Sequence, residues 1–233
     1  MCGIVGYIGN KKAEPILLNG LYKLEYRGYD SAGIATIEKD CIKNIKNKGR
    51  VADLEKTEGI ESLEGSIGIA HTRWATHGKA SNKNAHPHSV DKITLVHNGI
   101  IENYEELKQL LITKGYSFIS QTDSEVAAAY IDYCYKIEKN MLKALEKAKY
   151  DLKGSYALGI ICNDELDKIY AVRKESPLII GKSSDGYFIA SDVPAILNYT
   201  NKYYLLDNYE IAILDKNNIS FLSLIHISEP TRL

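Results

Sequence analysis

From Gly154 onward the chain runs as a succession of short apolar stretches, near 155–162, 168–173, 178–182, 186–191, 203–207 and 210–215. The turns between them carry Asn, Asp, Gly and Pro, the residues that break strands. So many strands, with a few helices and no strict alternation between the two, predict an α+β sandwich in which sheets pack together and helices lie outside. The first half fits. Residues 3–8 read as a buried strand bounded by glycines, and further strands are expected at 31–37, 42–46 and 66–71. A helix is expected from Ala13 to Tyr26, with Leu17, Leu21 and Leu24 on one face. Another should run from Asn103, as cap, to Lys114, with Leu107, Leu110 and Leu111 as its apolar stripe and Gly115 as its stop. Thr122-Asp123-Ser124-Glu125 matches a capping box opening a helix to about Lys136, and a further helix spans Asn140 to Tyr150.

Composition narrows the partners. The 233 residues are 45% hydrophobic and 25% charged, with 29 basic against 30 acidic side chains and a net charge of -1. That balance gives no electrostatic reason to expect nucleic acid or an anionic membrane. No apolar run reaches the roughly 20 residues that span a bilayer, and the start lacks a signal-peptide pattern. The expected compartment is the cytoplasm. Of Cys2, Cys41, Cys134 and Cys162, none forms a Cys-x-x-Cys pair, and the last three read as small core fillers.

Cys2 differs because of its position. Removal of Met1 is expected, and it would put a thiol and a free α-amine on one residue. The amine titrates near 7.7–8.0 and the thiol near 8.5, so the amine can serve as general base for the thiol. Three further segments carry polar or aromatic groups with glycine directly after an apolar strand, where loops carry function. They are Leu24-Glu25-Tyr26-Arg27-Gly28-Tyr29-Asp30-Ser31-Ala32-Gly33, His71-Thr72-Arg73-Trp74-Ala75-Thr76-His77-Gly78 and Val96-His97-Asn98-Gly99-Ile100-Ile101-Glu102-Asn103. Taken alone, Asn98-Gly99 reads as a hairpin turn, Arg73 as a surface ion pair and Asp123 as a helix-capping carboxylate.

Together with Met1-Cys2-Gly3-Ile4-Val5-Gly6, these segments resemble the glutamine amidotransferases of the N-terminal-nucleophile class. Within that class they look most like the glutaminase domains of the glutamine–fructose-6-phosphate aminotransferases, the glucosamine-6-phosphate synthases. Asn84-Ala85-His86-Pro87-His88, Gln121-Thr122-Asp123-Ser124-Glu125 and Ile189-Ala190-Ser191-Asp192 extend the resemblance to about residue 215. It implies a four-layer αββα sandwich and hydrolysis of the glutamine side-chain amide, with Cys2 as nucleophile. The Asn98 amide and the Gly99 backbone N–H are then the oxyanion donors. Arg73 would bind the substrate α-carboxylate bidentately and Asp123 its α-ammonium. Thr76 and His77 would line the glutamine pocket and Trp74 a mobile cover, while Arg27 would order the Cys2 loop. Other members of the class serve phosphoribosylpyrophosphate or aspartate as acceptor, and a non-catalytic interaction domain is the reading from another class.

No cofactor is expected. His77, His86, His88 and His97 lie close in sequence, but no spacing among them matches a common zinc signature, so no metal is expected. His86 and His97 are instead expected to hold loops by hydrogen bonds. Residues 1–221 are read as the glutaminase domain and 222–233 as a tail foreign to the family pattern. Asp215 to Ser220 reads as a hairpin turn. The sugar-isomerase domains that follow in that family have no counterpart in these residues; they are the implied partners, in a full-length enzyme expected to be a homo-oligomer.

Overall fold

A computed structural model of the chain describes residues 2–75, 78–223 and 227–228. In chain order it begins with β1 (Gly3–Gly9), α1 (Ala13–Leu24), β2 (Ser31–Ile37), β3 (Ile42–Lys48), α2 (Val51–Glu55) and β4 (Ile67–Arg73). Then come β5 (His88–Val90), β6 (Ile93–Ile101), α3 (Tyr104–Thr113), α4 (Asp123–Glu138), α5 (Met141–Asp151), β7 (Gly154–Cys162) and β8 (Glu165–Lys174). The last elements are β9 (Ile179–Lys182), β10 (Gly186–Ala190), β11 (Tyr203–Leu205), β12 (Ile211–Leu214), β13 (Ile219–Leu222) and β14 (Ile227–Ser228). Among the described residues the strands form two seven-stranded sheets, in the orders β11-β9-β10-β1-β4-β2-β3 and β14-β13-β12-β8-β7-β6-β5. Their pairings are antiparallel, as in β1 with β4 and β10, and β7 with β6 and β8.

Strand alternation explains the layers, because successive side chains point to opposite faces of a sheet. In β1, Val5 and Tyr7 pack with Leu17 and Leu21 of α1, while Ile4 and Ile8 pack with Val96, Ala157 and Ile161 of the second sheet. The second sheet is covered in turn by α3, α4 and α5, where Ile93, Leu95, Leu158 and Ile160 meet Leu111, Val126, Ala127 and Leu145. Helix, sheet, sheet and helix follow one another: the four-layer αββα sandwich, with the deepest apolar layer between the sheets.

Several details differ from the sequence reading. Leu110 is exposed while Leu107 and Leu111 are buried, so α3 presents a narrower stripe. The Asn103 side chain makes no cap bond and instead ties Lys153 N–H and the Asp151 carbonyl to this corner. Only half of the capping box forms. Thr122 Oγ1 accepts from Glu125 N–H, but the Glu125 carboxylate accepts from Ile119 and Ser120 N–H. Cys134 and Cys162 are buried core fillers, whereas Cys41 is exposed at the turn between β2 and β3. The turn at Asp215 is closed by Asp215 N–H on the Asn218 carbonyl, but Ile219 and Ser220 already belong to β13. Leu222, at the end of β13, pairs with Ile227 of β14.

Candidate active site

Of the site residues singled out in the sequence, those among the described residues gather at one end of the layer between the sheets. In β4, Ile67 and Ile69 belong to the inter-sheet core, and alternation puts His71 and Arg73 on that same face one and two steps further along. In β6, Val96 belongs to the same core, and Asn98 follows it on that face. Cys2 precedes Ile4 in the same way. His71 and Arg73 thus sit at the end of β4 and Asn98 inside β6, while Cys2 immediately precedes β1. The Leu24 segment likewise follows α1, not a strand, and the Val96 segment runs inside β6, where Asn98 pairs with Ala157 and Gly99 with Tyr156. The Asn98-Gly99 step is thus no hairpin turn. Gly99 has φ of +121°, and a Cβ there would stand 2.0 Å from the Ser155 carbonyl oxygen, so the strand needs glycine at this kink.

A cavity of about 240 Å³ opens at this end, lined among others by Cys2, Arg73, Trp74, Asn98, Gly99 and Asp123. The Cys2 sulfur accepts the Trp74 backbone N–H at 3.3 Å. Gly28 allows that approach, since a Cβ there would press on the Arg73–Trp74 peptide at 2.6–2.8 Å. Burial raises the Cys2 thiol above the usual range, against the lowering effect of the Trp74 backbone bond. The Cys2 carbonyl accepts from Arg27 Nε at 3.2 Å and from Asn98 Nδ2 at 3.0 Å. Arg27 Nη1 also donates to Asp192 at 2.7 Å, and the Tyr26 hydroxyl donates to the same carboxylate oxygen.

Arg73 is buried, donates from Nη2 to the Gly78 carbonyl at 3.0 Å and stands 3.9 Å from Asp30. Asp123, also buried, accepts from Ile101 N–H at 2.9 Å and from the Ser124 hydroxyl at 3.5 Å. Both face a cleft large enough for a small amino acid, so it offers one fixed cation and one fixed anion beside a thiol. Trp74, about half exposed, lies edge-on to Tyr29 at 5.4 Å. Thr76 and His77 lie outside the described residues.

His97 Nδ1 lies 2.8 Å from the Ser124 hydroxyl, which links β6 to α4. His86 differs from expectation. Among the described residues neither of its ring nitrogens meets a hydrogen-bond partner. It is held by ring packing, 4.0 Å from His71 and 4.6 Å from His88 between centroids. No group of three potential metal ligands is arranged around a common point among the described residues. Two neighbours of the site went unremarked in the sequence. Asp30 accepts the Ala75 N–H and so anchors the loop after β4, and His71 contacts Asn98. Both lie inside the Leu24 and His71 segments, but only the folded structure shows what they touch: Asp30 the loop after β4, and His71 the facing sheet.

The family described as glutamine amidotransferase domain matches residues 71–198. The chain is 55% identical over 221 residues to a glutamine–fructose-6-phosphate aminotransferase (isomerizing) of Clostridium tetani, covering 94% of this chain and 36% of the relative. Enzymes of the same description from Clostridium perfringens and Thermococcus kodakarensis are 54% and 51% identical, with the same shares covered. The chain therefore spans little more than a third of these relatives. Among solved structures, the glutamine phosphoribosylpyrophosphate amidotransferase from B. subtilis superimposes with a TM-score of 0.82 at 25% identity, over 97% of this chain and 50% of that one.

Proposed function

The chain belongs to the glutamine amidotransferase domain family, and on that premise we propose that it hydrolyses the side-chain amide of glutamine through a thioester on Cys2. The single observation that carries the residue roles is the shared cleft. It brings the Cys2 thiol together with Asn98, Gly99, Arg73 and Asp123. Because burial holds the thiol above its usual range, thiolate is scarce at neutral pH and a base is needed. The α-amine of Cys2, free once Met1 is removed, is that base. It takes the sulfur proton as the sulfur attacks the amide carbon. The oxyanion that forms is met by Asn98 Nδ2 and the Gly99 N–H. The same proton then goes to the departing nitrogen, ammonia leaves, and water cleaves the thioester to glutamate.

Arg73 and Asp123 hold the α-carboxylate and α-ammonium, and Thr76 and His77 complete the pocket. Arg27 keeps the Cys2 carbonyl in place, with His86 supporting the strand ends through its neighbours. The identity of 50–55% to glutamine–fructose-6-phosphate aminotransferases, against 25% to the phosphoribosylpyrophosphate enzyme, favours fructose-6-phosphate as the acceptor. On this reading residues 1–221 are the ammonia-producing half of a cytoplasmic, homo-oligomeric enzyme whose isomerase domains bind the sugar phosphate, and residues 222–233 are foreign to it. The test is incubation of the chain with glutamine, with intact mass recorded to establish Met1 removal. Glutamate and ammonia should appear in equal amounts. A processed protein that releases neither would refute the reading.

A further inference from the structure

Asn98 must present a nitrogen, not an oxygen, toward Cys2 if it is to stabilise an oxyanion. A side-chain amide has two nearly isosteric ends, and nothing intrinsic to asparagine selects between them. Asn98 Nδ2 donates to the Cys2 carbonyl at 3.0 Å, which leaves its Oδ1 pointing inward. There it lies 3.1 Å from Nε2 of His71, and the same nitrogen lies 2.9 Å from the His97 carbonyl oxygen. A carbonyl can only accept, so that nitrogen has to carry the proton. The other ring nitrogen, Nδ1, has no hydrogen-bond partner among the described residues, as suits the bare lone pair of the neutral ring. The ring itself has no freedom to turn. It is fully buried, and the His86 ring lies on it at 4.0 Å and 30°.

We propose that His71 is a positioning residue of the glutaminase site: its Nε2–H, shared between the His97 carbonyl and Asn98 Oδ1, locks the Asn98 amide with its NH2 toward the nucleophile. The proposal rests on the role given to Asn98 above. With the Nε2–H in place, a flipped Asn98 would set its own NH2 against a donor and its oxygen against the Cys2 carbonyl, losing both bonds at once. Without it the inner end of the amide has no donor, and the two orientations become comparable. A flipped amide repels the oxyanion but leaves Arg73 and Asp123 untouched, so the loss falls on the transition state and not on glutamine binding.

The test uses the full chain with Met1 removed and two variants, His71→Leu and His71→Gln, the second of which keeps an N–H donor at about the reach of Nε2. Two readouts are taken. The first is nitrogen-15 NMR of the free protein, which needs no activity. It should show His71 protonated at Nε2, and Asn98 NH2 signals that broaden or shift in His71→Leu and stay near their wild-type positions in His71→Gln. The second is kinetic. His71→Leu should lower kcat for glutamine hydrolysis by about 10–100-fold, below the loss expected for deleting an oxyanion donor outright, with KM within about twofold. His71→Gln should recover most of kcat. An Nδ1-protonated His71, Asn98 signals indifferent to His71→Leu, or a His71→Leu enzyme that keeps wild-type kcat would each overturn the proposal. So would equal losses in both variants, which would mark His71 as merely structural. A wild-type protein that shows the NMR coupling yet hydrolyses no glutamine would sink the hydrolysis reading while leaving the lock on Asn98 standing.

Discussion

The layer between the two sheets changes character from one end to the other along the same strands. At one end β1, β4 and β6 contribute Ile8, Ile67, Ile69 and Val96, packed against Ile161 and Ile189. At the other end the same faces carry Cys2, Arg73 and Asn98, which line a cleft, with His71 buried behind Asn98, whereas the first end is a close-packed interior. Both ends are built on the same strands, although Cys2 precedes β1 and β6 kinks at Gly99. The difference lies in what the side chains demand. Apolar groups are satisfied by contact, whereas buried amides, imidazoles and guanidinium groups must be supplied with partners. At the polar end those partners are other site residues, the strand-end carbonyls and, on the proposed function, the substrate. His71, Arg73 and Asn98 of this site are core positions, and the site is polar because the core ends there.

The sharpest way to break this comparison is to remove polar groups singly. Asn98→Ala should lower kcat by about 10²–10³ with little change in KM, because its bond strengthens as the oxyanion forms. Asp123→Ala should mainly raise KM. An Asn98→Ala enzyme with unchanged kcat would mean the oxyanion is stabilised elsewhere.

Acid should act first on the polar end. Burial holds His71 down to about 3, and His86 and His88 also well below the usual imidazole range, with Lys46 and Arg73 adding to the effect at His88. In the folded chain these rings stay neutral. In the unfolded chain they take up protons below about pH 6.5. Stability is therefore level above that pH and falls as pH drops toward 3, by about 2 kcal/mol at pH 5 for His71 alone, with His86 and His88 acting in the same direction. Melting temperatures measured from pH 8 to pH 5 should fall below pH 6.5. A flat profile would show that these rings are protonated, or solvated, in the fold.

The apolar end should answer to packing instead. Ile69→Val should cost about 1 kcal/mol of stability, read by denaturant unfolding, with KM and kcat unchanged, because the deleted methyl lies in the inter-sheet core and not at the cleft. A kinetic effect comparable to that of Asp123→Ala would show that the two ends are coupled. Smallest of all should be truncation after Leu222. If residues 222–233 are foreign, hydrolysis and melting temperature stay nearly as they were even though Ile227–Ser228 pairs with β13, whereas a fall of several degrees would show that this pairing supports the fold.

The strands that build this layer could be read directly. The run at 31–37 matches β2, and the glycine-bounded run at 3–8 falls within β1, because a strand buried on both faces leaves an unbroken apolar signature. The polar end could not be read in the same way. Cys2 and Asn98 meet only because β1 and β6 lie in stacked sheets, and spacing along the chain carries no trace of that. Asn98-Gly99 looks like a turn because its local chemistry suits one; the kink at Gly99 depends on Ser155 across the ladder. His86 looked like a hydrogen-bonding residue and proves to be a packing one, since its neighbours are rings. The roles proposed for the site residues come from the motifs of the family, not from periodicity.

The most direct measurement is covalent labelling with a glutamine analogue carrying an electrophile at the amide carbon, followed by intact mass and peptide mapping. The protein holds a built-in control: Cys41 is exposed and outside the cleft, while Cys134 and Cys162 are buried in the core. Processed protein should gain one analogue mass on Cys2 alone, glutamine should protect it, and Cys2→Ala should neither label nor hydrolyse while melting as before. Labelling at Cys41 in place of Cys2, or hydrolysis that survives Cys2→Ala, would contradict the account.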